Sequence, residues 1–587
     1  MILKKISRLF PKEIKTELFF LYFLMVFAAL LEFISLGLIP IFISYIISDS
    51  LDNFYIDLNV ETLLNFITGE NITIKISIII FLVFLFKFFY MIFLSYYELK
   101  IIRKIKLFFS ENIYSAYVDK GYNFFIKKNT SELGRNIINE IENAVQFIVC
   151  ILSISKELLL IFVIGTLLVL FDPLVSLLGI FIISFFVLIF YFKTDSKLKN
   201  IAKKRVKLFA DIFKHVIETF SIIKEIKIYS KESFFIKQFI NIRKSLEFYL
   251  FKRDFLIKLP KIVFEFLAVS LIIFLIVIFT VLNKSSTELF TLLSLLAVAV
   301  VRLLPSFNQL SVSLTHFGSY KISFEILGKE IDDFLSNKKF NNNFGDSKKE
   351  QQSVNFDTEI LIDKVYFSYD DNEQAGLNNI SLEVKKGEMI GLIGRSGAGK
   401  STLVNIILKL LKPQKGQVVF RNKKVSCGYV PQDIFLLDSS LKANIALAED
   451  NVDEEKLMNV IKRCELDNFV KTHKKGVNLI LGERGIRISG GEKQRIGLAR
   501  ALYSNNKIII LDEATSALDN QTENNIMNSI LKLKHDLTII LVAHRLSTLK
   551  HCDRVIYLEN GYIKDQGKLE FLLSKYPDLD IKNKVNN

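Results

Sequence analysis

Six apolar segments, each about as long as the 20 residues that cross a bilayer as a helix, occupy the first half of this 587-residue chain. They fall at residues 18–47, 74–97, 147–170, 174–192, 262–282 and 290–314. So much continuous apolar sequence excludes a single water-soluble domain and predicts a helical bundle in lipid. Between the third and fourth segments stands only Phe171-Asp172-Pro173, which leaves room for nothing but a helical hairpin. The basic start, residues 1–15, precedes an apolar run longer than a signal-peptide core, so it reads as the flank of a retained first span.

The connecting segments differ in charge, and the difference orients the bundle. Residues 48–71 contain Asp49, Asp52, Asp57, Glu61 and Glu70 with no Lys or Arg, which places them outside. Residues 193–258 are crowded with basic side chains, including Lys203-Lys204-Arg205, and keep helical periodicity, so they belong to the cytoplasm as extensions of the fourth and fifth spans. Residues 98–144 extend the second and third in the same way. Much of the net charge of +15 is therefore ordinary topology, and no nucleic-acid partner is expected. Cys150, Cys427, Cys464 and Cys552 are widely spaced, a pattern of isolated thiols.

The transmembrane domain is expected over residues 1–335, a polar linker over 336–357, and a second domain over 358–587. In the last, short aliphatic runs at 389–393, 428–430 and 508–511 alternate with helical stretches. This predicts an α/β fold with a largely parallel sheet.

Directly after the first run comes Gly394-Arg395-Ser396-Gly397-Ala398-Gly399-Lys400-Ser401, a complete G-x-x-x-x-G-K-[ST] phosphate loop, followed by Thr402 and a helix-like stretch to residue 411. Glycines let successive backbone N–H groups point at phosphate oxygens, Lys400 neutralises the β and γ phosphates, and the Ser401 hydroxyl can ligate Mg2+. The ligand expected here is ATP with Mg2+. The run at 508–511 ends in Asp512-Glu513, where Asp512 can hold the metal through water and Glu513 can take a proton from an attacking water.

Ile488-Ser489-Gly490-Gly491-Glu492-Lys493-Gln494-Arg495, standing shortly before Asp512-Glu513, resembles the signature motif of ATP-binding-cassette proteins. The resemblance implies further roles: Tyr369 stacking on adenine, Gln432 contacting Mg2+ and sensing the membrane domain, Ser516 to Asp519 as the D-loop, and His544 as the switch histidine at the γ phosphate. Leu481-Gly482-Glu483-Arg484-Gly485 resembles the exporter segment that meets the cytoplasmic loops. Glu492 stands where the commonest form has Gln, and residues 413–432 form a shorter connection than is usual. With one phosphate loop and one signature per chain, the resemblance implies a homodimer in which ATP on Lys400 of one copy is closed over by Ser489, Gly490 and Gly491 of the other. Coupling helices are expected by position near residues 124–131 and 218–226.

Three basic residues fall at or near membrane depth: Lys87, Lys261 and Arg302. Facing one cavity, they would suit an anionic head group; alternatively they snorkel, or pair with Glu32, Glu157 or Glu265. Over its full length, and in Arg302-Leu303-Leu304-Pro305-Ser306-Phe307-Asn308, the chain is similar to PglK-type flippases. That likeness implies polyprenyl-pyrophosphate-linked oligosaccharide as cargo, moved across a bacterial inner membrane with the cassette in the cytoplasm. Lipid A, a drug-like amphiphile or a peptide are alternatives on the same machine, and a soluble nucleic-acid-associated ATPase is opposed by the six spans.

Overall fold

The computed structural model describes residues 9–48, 72–171, 173–281, 286–343, 357–369, 376–422, 426–447, 449–482, 488–513, 520–534, 536–543 and 545–579. The chain divides into two compact units, residues 1–120 with 124–347, and residues 348–587 with 121–123.

The first unit is helical. Its elements are α1 (Lys12–Ser48), α2 (Ile72–Val118), α3 (Tyr122–Lys127), α4 (Thr130–Arg135), a π-helical turn (Asn136–Glu140), α5 (Ile141–Phe171), α6 (Pro173–Ser221), α7 (Ile223–Ile228), α8 (Glu232–Val281) and α9 (Ser286–Asn343). Each of the six expected apolar segments lies on one of the six long helices. Even α5, with 31 residues, exceeds the thickness of a hydrocarbon core, about 30 Å at 1.5 Å per residue. Among the described residues, Lys12–Ile39, Thr73–Val118 and Glu132–Leu170 are helical stretches long and apolar enough to cross a membrane. The expected external loop lies outside the described residues beyond Ser48, as does Asp172 of the hairpin turn.

Phe81, Phe86, Phe88, Phe89 and Ile92 are exposed on α2, an apolar surface of the kind that meets lipid. The buried side of α2, with Leu94, Ile101, Ile105, Phe109 and Ile113, packs in one cluster with Leu21 and Met25 of α1, Phe147 of α5, and Phe324, Leu327 and Ile331 of α9. Phe147 lies between Phe317 and Phe324, at 4.9 and 5.0 Å between ring centroids. Prolines fall within long helices at Pro260 in α8, Pro305 in α9 and Pro40 in α1, whereas α2 runs for 47 residues with none.

Residues 336–343, within the expected linker, are helical, because α9 continues to Asn343. The predicted coupling regions hold separate short helices, α3 and α4 in one and α7 with the end of α6 in the other, and α3 has no buried residue.

The second unit has β1 (Thr358–Phe367), β2 (Leu377–Lys385), β3 (Met389–Ile393), α10 (Lys400–Ile407), β4 (Lys415–Phe420), β5 (Cys427–Val430), α11 (Leu441–Ile445), α12 (Glu454–Arg463), α13 (Asp467–Thr472), α14 (Gly490–Tyr503), β6 (Ile508–Asp512), α15 (Asn520–Leu531), β7 (Thr538–Val542), α16 (Leu546–Leu549), β8 (Arg554–Glu559), β9 (Tyr562–Gly567) and α17 (Leu569–Lys575). The predicted parallel sheet has the order β5-β6-β7-β3-β8-β9, with β9 antiparallel at its edge. A second sheet, β2-β1-β4, is antiparallel and was not expected. The short 413–432 connection carries one strand of each sheet, β4 and β5.

The central strands are apolar throughout because both faces are covered. Ile509 and Leu511 of β6, with Ile539 and Leu541 of β7, face one core together with Leu457, Ile496 and Leu502. The intervening Ile508, Ile510, Ile540 and Val542 face the other, with Leu403, Ile406 and Ile407 of α10 and the inner residues of β1 and β2. Each such side chain contributes about 1.5–3 kcal/mol by leaving water.

Candidate functional site

The carboxyl ends of β5, β6, β7 and β3 lie along one edge of the parallel sheet, and the residues expected to handle nucleotide are placed there. Leu392 of β3 and Asp512 of β6 are both in register with Val542 of β7. With strands about 4.8 Å apart, the phosphate loop leaving β3 and the paired acids ending β6 stand roughly 10 Å from each other across one strand.

Two glycines of the loop are required by their surroundings. At Gly394 a Cβ would sit 2.3 Å from the Leu558 carbonyl oxygen. Gly399, at φ +99°, caps the start of α10, and a Cβ there would lie 2.6 Å from the Gly376 carbonyl oxygen. No L side chain fits that combination. Arg395, Ser396, Gly397 and Ser401 are exposed, while Ala398, Lys400 and Thr402 are buried. The Lys400 ammonium donates to the Gly394 and Arg395 carbonyls at 2.8 and 3.2 Å, so its charge is held against the loop's own backbone. Tyr369, exposed and packed edge-on against Phe367, shares a 3.2 Å hydrogen bond with the Thr402 hydroxyl, which fixes the ring beside the first turn of α10.

Both acids are held from β5 and the residues that follow it. Tyr429 stands opposite Ile510 in the ladder, and side chains two residues apart share a face, so its phenol reaches diagonally to Asp512. The phenol O–H donates to Asp512 Oδ2 at 3.1 Å. Burial, followed by the neighbouring Asp512 charge, pushes the Tyr429 phenol well above its ordinary pKa. Gln432, just past the strand, donates its amide to Glu513 Oε2 at 2.8 Å. Glu513 itself adopts φ +49°, the left-handed region, while its N–H donates to the Val542 carbonyl at 2.9 Å. Such a conformation costs on the order of 1–3 kcal/mol for a residue with a Cβ, and held strain of this kind gathers at functional sites.

The signature segment starts α14. Ser489 is its N-cap: the hydroxyl accepts from Glu492 N–H at 3.3 Å, and the Glu492 carboxylate accepts from Ser489 N–H at 2.8 Å and from the Ser489 hydroxyl at 2.7 Å. This reciprocal capping box explains why Glu serves where Gln is commoner. Gly490 is exposed at the helix start and Gly491 is buried. Leu481 and Gly482 precede it; Glu483, Arg484, Gly485, Ser516 to Asp519 and His544 lie outside the described residues.

Residues 377–516 match the family model of the ABC transporter. The chain also has relatives among curated proteins. It is 42% identical over 225 residues to the leukotoxin translocation ATP-binding protein LktB of Pasteurella haemolytica-like sp. (strain 5943B), covering 37% of this chain and 32% of that protein. To the alpha-hemolysin translocation ATP-binding protein HlyB of Proteus vulgaris it is 42% identical over 226 residues, again 37% and 32%. A longer match, 35% over 286 residues, covers 47% of this chain and 38% of the toxin RTX-III translocation ATP-binding protein of Actinobacillus pleuropneumoniae. The match thus spans about a third of the length of these relatives. Along 97% of this chain and 98% of its own, the structure of a bacterial Atm1-family ABC exporter with ATP bound superposes with a TM-score of 0.75 at 20% identity. The fold is therefore that of an ABC exporter, a helical membrane domain followed by an ABC cassette.

In the membrane unit, the three basic residues do not gather as bare charges. Lys87, buried on α2, is ion-paired to Glu32 of α1 and donates to Ser35 Oγ at 2.9 Å. Arg302 of α9 reaches the other oxygen of the same carboxylate at 3.2 Å. Lys261 instead forms an exposed i,i+4 pair with Glu265 at 3.8 Å, and Glu157 bonds to Ser306. The contacts are those of the pairing alternative: Lys87 and Arg302 share Glu32 in a Lys87–Glu32–Arg302 triad and Lys261 pairs with Glu265, since an unpaired charge at that depth costs more than one sharing a carboxylate.

Two groups escaped sequence reasoning. Tyr429 was visible only as a strand aromatic, though its place two residues before a Pro-Gln pair on the strand beside Asp512 was a usable signal. Buried Glu523 of α15 accepts from Arg545 at 2.5 Å and Thr548 at 2.7 Å, tying α15 to the segment after β7, and no local pattern announces it.

Proposed function

We propose that this chain is one half of an ATP-driven membrane exporter that works as a homodimer. The observation that carries the ATPase reading is the placement of the phosphate loop and Asp512-Glu513 on one sheet edge, a single strand apart. In this reading Lys400 and the loop amides hold the β and γ phosphates, Tyr369 stacks on the base, and Ser401, Gln432 and Asp512 surround Mg2+. The donor set suits that ion: a hydroxyl, an amide oxygen and a carboxylate, all hard ligands. Bound there, Mg2+ would neutralise charge on the phosphate oxygens. Glu513 takes the proton of the attacking water. Its bond to Gln432 must be exchanged for one to that water, so the segment following β5 controls when the base is free. His544 and Asp519 complete the site, and Ser489, Gly490 and Gly491 of the partner copy close over the triphosphate. α3, α4 and α7 carry closure to the membrane helices, giving alternating access.

For cargo, we favour polyprenyl-pyrophosphate-linked oligosaccharide, moved from the inner to the outer leaflet of a bacterial inner membrane with the cassette in the cytoplasm. What supports it is the likeness to PglK-type flippases together with the Lys87–Glu32–Arg302 triad. The triad keeps one net positive charge, and the Arg302 side chain is 46% exposed, a group able to grip phosphate oxygens. A second reading, export of a protein toxin, draws on the names of the relatives, whose similarity covers 37% of this chain and 32% of their own length. Proteoliposomes separate them. Stimulated hydrolysis and leaflet transfer with a defined lipid-linked oligosaccharide, and not with lipid A, amphiphilic dyes or an unfolded toxin, is the expected result; transfer of one of the others instead would replace this cargo. Failure of the wild-type protein to hydrolyse ATP at all would remove the exporter reading.

A further inference from the structure

Asp512 and Glu513 are each gripped by a different side chain from one short segment, and the two grips serve different purposes. Gln432 comes from beyond the end of β5 and holds Glu513, whose backbone is already strained. Tyr429 comes from within β5, where Gly428 and Val430 are buried on either side and the ladder to β6 is in register from Cys427 to Val430. Its hydroxyl is therefore as fixed as the sheet. We propose that Tyr429 is a positioning residue for the divalent cation: its O–H occupies Asp512 Oδ2 and so turns the other carboxylate oxygen to the metal's water shell. The assignment rests on the reading of this edge as an ATP-hydrolysing site.

The geometry distinguishes this from a packing role. Ring burial alone needs no particular direction of the hydroxyl, yet the hydroxyl is the one part of Tyr429 that leaves the apolar face and meets the carboxylate ending the next strand. Outer partners of metal-associated carboxylates set ligand orientation, and their loss weakens metal binding about tenfold or more. Removing the hydroxyl should loosen the metal, not the triphosphate, since the groups placed to hold the triphosphate lie in the loop between β3 and α10 and at the start of α10.

The test uses the full-length protein in nanodiscs, with Mn2+ as a probe followed by electron paramagnetic resonance and a non-hydrolysable ATP analogue present. Tyr429→Phe is expected to weaken Mn2+ about tenfold and to leave analogue affinity in excess chelator unchanged. The Mg2+ concentration giving half-maximal hydrolysis should rise by a similar factor, with the rate at saturating Mg2+ near that of the parent. Tyr429→Leu, which removes ring and hydroxyl, separates packing from positioning. Weakening of Mn2+ by both variants supports the proposal; weakening by Leu alone, a Phe isotherm coincident with the parent, or a lower rate with unchanged Mg2+ half-saturation overturns it. If the parent protein failed to take up Mn2+ with the analogue, the hydrolytic reading itself would fall, so the two failures are distinguishable.

Discussion

Gln432 donates its side-chain amide to Glu513 at 2.8 Å, so in this structure the carboxylate proposed as general base is engaged by a residue of the same chain. Glu513→Gln would retain a partner for Gln432 and lose only proton-accepting power. Nucleotide affinity should then stay near the parent value while turnover drops by about 100-fold or more. Equilibrium binding of a fluorescent ATP analogue beside a phosphate-release assay measures both; near-normal release would reject Glu513 as the base.

Gly399→Ala places a methyl 2.6 Å from the Gly376 carbonyl oxygen at φ +99°. The loop must move, and the amides it aligns move with it. ATP affinity should fall by at least about tenfold, since displacing a single hydrogen-bonded anion contact is worth roughly 1.4 kcal/mol or more. Isothermal titration with ATP decides this, and an unchanged Kd would show that the loop conformation is irrelevant to binding.

Glu492→Ala opens the capping box at the start of α14, whereas Glu492→Gln can keep both hydrogen bonds. A cap of this kind is worth about 1 kcal/mol, which corresponds to a fall of roughly 2–4 °C in Tm for a domain of this size. The Gln variant should melt with the parent. Equal melting of all three would mean that Glu492 contributes nothing to the helix.

Glu32 serves two cations, so removing it leaves Lys87 buried without its ion pair. Glu32→Ala should destabilise the membrane unit by about 3–5 kcal/mol, read as lost thermal stability in nanodiscs, and Glu32→Ala combined with Lys87→Met should recover most of it. Arg302→Gln, by contrast, should keep stability and basal ATPase but lose transport of pyrophosphate-linked cargo. Full transport by that variant would take Arg302 out of the cargo path.

Much of this architecture could be read from pattern. Long apolar runs marked the helices, and the continuous aliphatic strands marked the parallel sheet, because a strand covered on both faces has no polar alternation to confuse it. The phosphate loop was legible since its glycines answer to local backbone needs. The antiparallel β2-β1-β4 sheet was not, as its strands mix buried and exposed positions and pair over long separations. The triad was legible only as one of several pairings: Glu32 and Lys87 are 55 residues apart in sequence, and only the packing of α1 on α2 brings the carboxylate under the amine. The continuation of α9 to Asn343 was not legible because the polar composition of 336–343 reads as linker while its helix propensity persists.

Pro260 and Pro305 each delete a rung of backbone hydrogen bonding from helices 50 and 58 residues long. Flexure of α8 and α9 is thereby favoured at these two points. The uninterrupted 47-residue α2, about 70 Å of unbroken rod, acts in contrast as a stiff lever whose far end must swing whenever its near end is pushed.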